Sequence, residues 1–203
     1  MILLPKLRLG VSAFWGPECM QEISSLGIRH VNIPIELLNV DNVGAFRENA
    51  EKHKVKIEAV CAGSAQPECA DLAATAGAQA LCIRSGDPHA MNAVLDGAGL
   101  KYLIWEPAGM EIEGCRLGLD EIMKSASVPV KLAIWIGEKD VCERCRVIGK
   151  DAMIMIRNKV DLQMLGKAID SLRTGGSREN LVVLDVGSDL KASVDCCRNF
   201  VRE

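Results

Sequence analysis

The feature that most constrains the fold is a pattern repeated along the whole chain: a short apolar run, a polar tip, then a stretch with helical spacing. Most of the apolar runs are nearly continuous rather than strictly alternating, which is typical of parallel strands that are covered on both faces. Eight runs fit: LRLGVS from Leu7, HVNIPI from His30, VKIEAVC from Val55, ALCIR from Ala80, YLIWE from Tyr102, VKLAIW from Val130, AMIMIR from Ala152 and LVVLDV from Leu181.

The gaps between these runs carry helix signals. Asp41 is predicted to cap the helix after the second strand, and Pro67 suits the first turn of the next helix. Asp87 and Pro88 predict a helix start after the fourth strand. Asp161 precedes apolar residues spaced three and four apart after the seventh strand. The stripes predict one helix after each strand.

Eight strand-then-helix units predict an α/β fold, a compact (β/α)8 TIM barrel. With 203 residues and no linker or low-complexity segment, residues 1–203 are expected to form a single domain. An open doubly wound sheet is the alternative, but no G-x-G-x-x-G follows the first strand.

Composition narrows the partners. A net charge of -3 and a pI near 5.7 give no basic surface for nucleic acid. No apolar run reaches the ~18 residues of a membrane helix, and MILLPKLRLG has no signal-peptide cleavage site. Nine cysteines, an odd number, favour a reducing cytoplasm over a disulfide scaffold. The expected partner is a small molecule, and association into a homo-oligomer stays open.

In this fold the active site forms where the strands end. The three tryptophans, Trp15, Trp105 and Trp135, all fall at that end of a chain with only 3% aromatic residues. We interpret them as the aromatic walls of a pocket for a small ligand. The alternative is that they plug the top of the barrel.

Four charged residues directly end apolar runs: Arg84, Glu106, Arg157 and Asp185. Glu106 and Asp185 are candidate acid/base or metal-binding carboxylates, and Arg84 and Arg157 are candidates for binding an anionic substrate. A ring of structural ion pairs is the alternative, since charges in a barrel mouth need partners.

A second anion site is predicted at the loop after the last strand. Gly187 and Ser188 precede a helix start, where free N–H groups attract phosphate. Asp189, as an ordinary cap, would compete for the same groups. SGDPH, from Ser85, is a weaker candidate of the same kind.

Metal and thiol chemistry have few candidates. Of the three histidines, only His89 lies on the site side, which leaves a carboxylate-led divalent metal site open. Cys142 and Cys145 form a CxxC within a helix, where buried packing is the simpler interpretation. Cys61 and Cys115 could reach the site, the latter on a loop over 107–117 that is expected to act as a mobile flap.

The first half of the chain resembles a known family. LGVSAFW, SLGIRHVNIPIE, VKIEAVCA, LAATAGAQALCIRSG and YLIWEP are similar to the opening of the xylose-isomerase-like sugar isomerase/epimerase barrels. The resemblance covers roughly residues 7 to 107 and implies a metal-binding role for Glu106. The family expects an aspartate and histidines on strands 6 and 7, but these strands end here in Trp135 and Arg157. Asp185 would stand for the last-strand acid. The resemblance therefore implies that the metal chemistry is altered or lost.

Two functions remain open from the sequence. The first is an isomerase, epimerase or lyase acting on a small anionic or sugar-like substrate, with Glu106 and Asp185 moving protons or holding a metal. The second is a non-catalytic barrel that binds a ligand or a partner protein. The missing histidines and lysine at the strand ends favour the second.

Overall fold

Eight parallel strands pair in chain order and close into a barrel, because β1 pairs with both β2 and β8. This computed structural model describes residues 6–64, 66–85, 98–107, 110–137, 140–149, 152–157, 161–176, 179–185 and 190–198. The closed barrel confirms the predicted TIM fold and excludes the open sheet. The strands are β1 Lys6–Ser12, β2 His30–Pro34, β3 Lys56–Ser64, β4 Ala80–Ser85, β5 Tyr102–Trp105, β6 Val130–Trp135, β7 Ala152–Arg157 and β8 Glu179–Asp185.

Helices cover the outside of the barrel. Within the described residues every one is too short or too polar to cross a bilayer. They are α1 Cys19–Ser25, α2 Val43–His53, α3 Pro67–Thr75, α4 Ile112–Ser125, α5 Val141–Ile148, α6 Leu162–Thr174 and α7 Leu190–Cys197, with a 3-10 turn at Ile35–Leu37.

Two apolar layers follow from the alternation of side chains along each strand. One set points outward and packs against the helices, and the largest of its fully buried members include Ile33, Leu81 and Ile134. The other set fills the barrel and is rich in small residues: Ala59, Ala80, Cys82, Ile104, Ala133, Trp135, Met153, Met155 and Val183. Small side chains inside leave room at the mouth of the barrel.

The local signals are confirmed in part. Pro67 is the first residue of α3. Asp161 caps α6, accepting a hydrogen bond from the Met164 N–H at 2.9 Å. The prediction for Asp41 is wrong: α2 begins at Val43, and the Asp41 N–H instead donates to Asn39 Oδ1 in the preceding turn. Asp87 and Pro88 lie outside the described residues.

The predicted flap after β5 is also shorter than expected. α4 begins at Ile112, so half of the 107–117 segment is helix rather than loop. Cys115 is therefore a helical residue, fully buried, and its thiol donates to the Met110 carbonyl. It faces the Arg144 guanidinium of α5 rather than the barrel mouth.

The amino-terminal end of the barrel is closed by one buried carboxylate, Glu58. Its oxygens accept hydrogen bonds from Lys56 Nζ at 2.8 Å and the Tyr102 hydroxyl at 2.8 Å, and lie 2.6 Å from His30 Nδ1. Burial alone would raise the pKa of Glu58, but the hydrogen bonds from His30, Lys56 and Tyr102 outweigh it and lower the pKa from 4.5 to about 2. Every bond strengthens the ionised form, so this group stabilises the fold.

Candidate active site

A cavity of about 100 Å3 opens at the carboxyl ends of the strands. Since roughly 10–15 Å3 holds one water molecule, the cavity has room for a ligand the size of several waters. Every strand, or the segment directly after it, contributes to the lining. The polar, sulfur and aromatic lining residues are Ser12, Glu36, Cys61, Cys82, Arg84, Glu106, Trp135, Met155 and Asp185.

Glu106 follows β5 directly and points into this cavity. Its N–H donates to the Ile83 carbonyl at 2.8 Å, which holds the residue against β4. Only 7% of the residue is exposed. A carboxylate so buried needs a partner, and Arg84 on β4 supplies one through Nε, 3.2 Å from Oε2. Two of the residues predicted at the strand ends, Arg84 and Glu106, are thus in direct contact.

Arg84 contacts the buried carboxylate of Glu106 and is itself partly exposed to solvent. Burial tends to lower the pKa of Arg84, but the charge and hydrogen bond of Glu106 raise it. Half of the side chain is exposed. Its guanidinium therefore stays charged and has an edge that an incoming anion can reach.

The three tryptophans occupy three different environments. Trp135 points inward and lines the cavity. Trp105 lies on the opposite face of its strand, buried against α4, where a Cβ added at Gly118 would come within 2.5 Å of its ring. Trp15 follows β1, is 48% exposed and packs edge-on against Phe14. Of the three, Trp135 alone forms a wall of the cavity, because strand alternation sends Trp105 outward.

The last two strands bring a second carboxylate. Asp185 ends β8 and lines the cavity. Arg157 is its register partner at the end of β7, and its side chain is outside what the structure describes. The predicted anion-binding residues Gly187 and Ser188 lie outside the described residues, and so do Asp189 and His89.

The described residues do not fit the metal site that the resemblance implies. No group of three or more histidine, cysteine, aspartate or glutamate side chains within the described ranges is arranged to hold a metal ion. In addition, Glu106 is already neutralised by the Arg84 guanidinium, and a cation beside it repels a second one. The guanidinium of Arg84 therefore disfavours a divalent cation bound directly to Glu106.

Cys61 lines the cavity, as predicted, whereas three other lining residues were not singled out from the sequence: Ser12, Glu36 and Cys82. Glu36 sits in the short 3-10 turn after β2, and Ser12 ends β1. Cys61 and Cys82 face each other from β3 and β4. For Ser12 and Cys82, only the phase of the strand, inward or outward, could have identified them. The CxxC, by contrast, is packing: Cys145 is fully buried, and Cys142 contacts the Met164 sulfur.

No family model and no curated protein sequence matches this chain. Solved structures do. The chain is similar to D-allulose 3-epimerase from Methylomonas sp., solved with D-allulose, at 14% identity and a TM-score of 0.66, covering 98% of this chain and 92% of that one. The chain is also similar to a truncated 3-deoxy-D-arabino-heptulosonate 7-phosphate synthase from Thermotoga maritima, at 14% identity and a TM-score of 0.65, covering 97% of this chain and 87% of that one. For phosphoribosyl anthranilate isomerase from Thermococcus kodakaraensis the identity is 14% and the TM-score 0.61, covering 97% of this chain and 99% of that one.

The chain has the TIM-barrel fold. A sugar epimerase is among the similar structures, in line with the resemblance of the sequence. At these identities the likeness extends to the fold alone, and the chemistry of the site has to be argued from its own residues.

Proposed function

We propose that the chain is an enzyme of the isomerase, epimerase or lyase type, acting on a small anionic or sugar-like molecule held in the mouth of the barrel. One observation carries the proposal: a nearly buried carboxylate, Glu106, lies in contact with a half-exposed guanidinium, Arg84, and shares one cavity with Asp185. The epimerase and isomerase among the similar structures support the same class.

The chemistry of this class is proton transfer next to a carbonyl group. Glu106 would remove a proton from carbon, since its carboxylate borders the cavity in which the substrate would lie. Arg84 would stabilise the negative charge that develops on the carbonyl oxygen. Asp185 enters from β8, on another side of the cavity, and would return or accept the second proton.

The ion pair also explains how an anion would be recruited. Without substrate, Arg84 compensates the charge of Glu106. An anionic or oxygen-rich group at the exposed edge of Arg84 would share the guanidinium and loosen its hold on Glu106, making the carboxylate available as a base. Binding and activation would then be one event.

The test measures the half-reaction, so the natural product need not be known. Dihydroxyacetone and dihydroxyacetone phosphate are incubated with the protein in D2O, and loss of the carbon-bound proton signal is followed by NMR. The expected result is exchange that depends on the protein and falls by about 10²–10⁴-fold in Glu106→Gln.

Glu51→Gln is the matched control, because Glu51 is an exposed residue of α2 far from the mouth. It should exchange as fast as the wild type. An unchanged rate in Glu106→Gln, with a native circular dichroism spectrum, would refute the role of Glu106.

A non-catalytic binding barrel is the second candidate, and the exposure of Trp15 favours it. A tryptophan that is 48% exposed beside the mouth is a ready contact for a ligand or a partner. Under this alternative, neither substrate exchanges its proton, while phosphate-bearing probes still quench tryptophan fluorescence in wild type and Glu106→Gln alike.

A further inference from the structure

Two cysteines from neighbouring strands face each other in the wall of the cavity. Cys61 on β3 and Cys82 on β4 are register partners, and both line the cavity. Side chains at matched positions of adjacent strands point to the same face. The side chain of Cys61 packs against the buried cluster that contains Cys82. This is a dithiol assembled by the sheet, not by a sequence motif.

The two thiols differ in access. Cys82 is 1% exposed, whereas Cys61 is half-buried and borders the open side of the cavity. The interaction with Cys61 and burial raise the pKa of the Cys82 thiol well above its usual value. Cys61 is therefore the thiol that an incoming reagent meets first.

Among the described residues, no other cysteine pair combines these features. Cys142 and Cys145 lie on α5, and neither lines the cavity. Cys196 and Cys197 follow each other on α7, and a helix points successive side chains in different directions, one exposed and one buried. Cys115 bonds a backbone carbonyl.

We infer that Cys61 and Cys82 form a dithiol modification site that closes to a disulfide when a small disulfide-containing molecule enters the cavity. Neighbouring strands lie about 4.8 Å apart, within the ~4.4–6.8 Å that a disulfide spans between Cα atoms. The bond therefore requires a small local approach of the two side chains, without any change in the barrel.

The reaction is a pair of thiol–disulfide exchanges. The Cys61 thiolate attacks one sulfur of the incoming disulfide, forming a mixed disulfide and releasing one thiolate. The Cys82 thiol loses its proton to water and attacks the Cys61 sulfur, which forms the Cys61–Cys82 bond and expels the second thiolate. Two cysteine thiols are oxidised, the small disulfide is reduced to two thiols, and the released thiolates take up the two protons.

Closure would change the cavity that the proposed enzyme uses, since both sulfurs border the same space as Arg84 and Glu106. The inference itself is independent of that activity. A linked pair of cysteines is detected chemically whether or not the protein turns over any substrate, so the two proposals fail separately.

The test exposes the native protein to bis(2-hydroxyethyl) disulfide, blocks the remaining thiols with N-ethylmaleimide, and digests with a protease that cuts after aspartate and glutamate. Cuts at Glu68 and Asp71 place Cys61, Cys69 and Cys82 on separate peptides. The expected product is a peptide 59–68 joined to the peptide that carries Cys82, lighter than the two free peptides by the mass of two hydrogens, and separated by dithiothreitol.

Three variants sharpen the result. Cys82→Ala should accumulate the mixed disulfide on Cys61, and Cys61→Ala should leave Cys82 unmodified. Cys196→Ser, which removes an exposed thiol of α7, should still form the link. If a variant fails to fold, the wild type alone decides the question. The inference would be overturned if Cys61 and Cys82 were both recovered as maleimide adducts. It would also be overturned if Cys61 stayed in a mixed disulfide while Cys82 remained a free thiol.

Discussion

Glu58→Gln should destabilise the protein in a way that depends on pH. In the folded chain the pKa of Glu58 is lowered from 4.5 to about 2, with His30, Lys56 and Tyr102 as the hydrogen-bond partners. At ~1.4 kcal/mol per pKa unit, this difference corresponds to about 3 kcal/mol of folding free energy at neutral pH. Glutamine keeps the shape of the side chain but loses the charge, so the variant forfeits most of this amount.

The pH dependence follows from the sign of the shift. Because the folded pKa lies below the unfolded one, the stabilisation is fully present above about pH 4.5 and is lost as the pH falls towards 2. By pH 3 the wild type should have lost about 2 kcal/mol of this contribution, so the gap between wild type and Glu58→Gln should shrink to about 1 kcal/mol.

Urea unfolding at pH 7 and pH 3, followed by circular dichroism, measures both gaps. Glu51→Gln is the control, since its ion pair with Arg47 lies on the surface of α2 and contributes within about 1 kcal/mol at either pH. A gap for Glu58→Gln that is the same at the two pH values, or below about 1 kcal/mol at pH 7, would refute the reasoning.

Three further predictions concern packing, a buried amide and a helix cap, and each is tested by urea unfolding at pH 7. Gly118→Ala should cost about 1–3 kcal/mol, because its Cβ would lie 2.5 Å from the Trp105 ring. The control Gly114→Ala, on the same helix, meets only the Met110 methyl at 3.4 Å and should be neutral or stabilising. Equal effects of the two substitutions would contradict the outward position of the tryptophan. Asn32→Val should stabilise by about 1–3 kcal/mol, because the carboxamide of this 1% exposed residue has no hydrogen-bond partner among the described residues; a clear loss of stability would show that the amide is satisfied in solution. Asp161→Ala should cost about 1 kcal/mol by removing the cap of α6, and a change within the error of the measurement would rule out the cap as a source of stability.

Much of the architecture follows from short-range patterns. The runs starting at His30, Ala80, Val130 and Ala152 begin strands at those residues because near-continuous apolar sequences suit a sheet that is covered on both faces. The strand ends also placed Glu106 and Asp185 at one edge, since parallel strands carry their carboxyl ends to the same side.

The phase of each strand was not accessible in the same way. Trp105 and Trp135 end strands in similar sequence surroundings, yet one packs outside against α4 and the other lines the cavity. A near-continuous apolar run satisfies both layers equally well, so its periodicity does not say which residues point inward. Barrel closure fixes the phase by setting the register between neighbours.

The buried, hydrogen-bonded role of Glu58 could not be predicted from the sequence, for a related reason. It lies in an apolar run, VKIEAVC, that has the pattern of an ordinary buried strand, and the register between β2 and β3 shifts beside it. Besides Lys56 on the same strand, its partners come from other strands: His30 and Tyr102. Hydrogen-bond partners that are distant in sequence leave no local pattern.

The sequence by itself thus determined the order of the strands, the α/β class, and the edge at which the charged residues collect, because these depend on the preferences of neighbouring residues. Only the tertiary structure decided which side chains meet there. The Arg84–Glu106 pair and the Cys61–Cys82 dithiol both depend on the register of β4 against its neighbours. That register is set when the barrel closes, by packing summed over all eight strands rather than by any one segment.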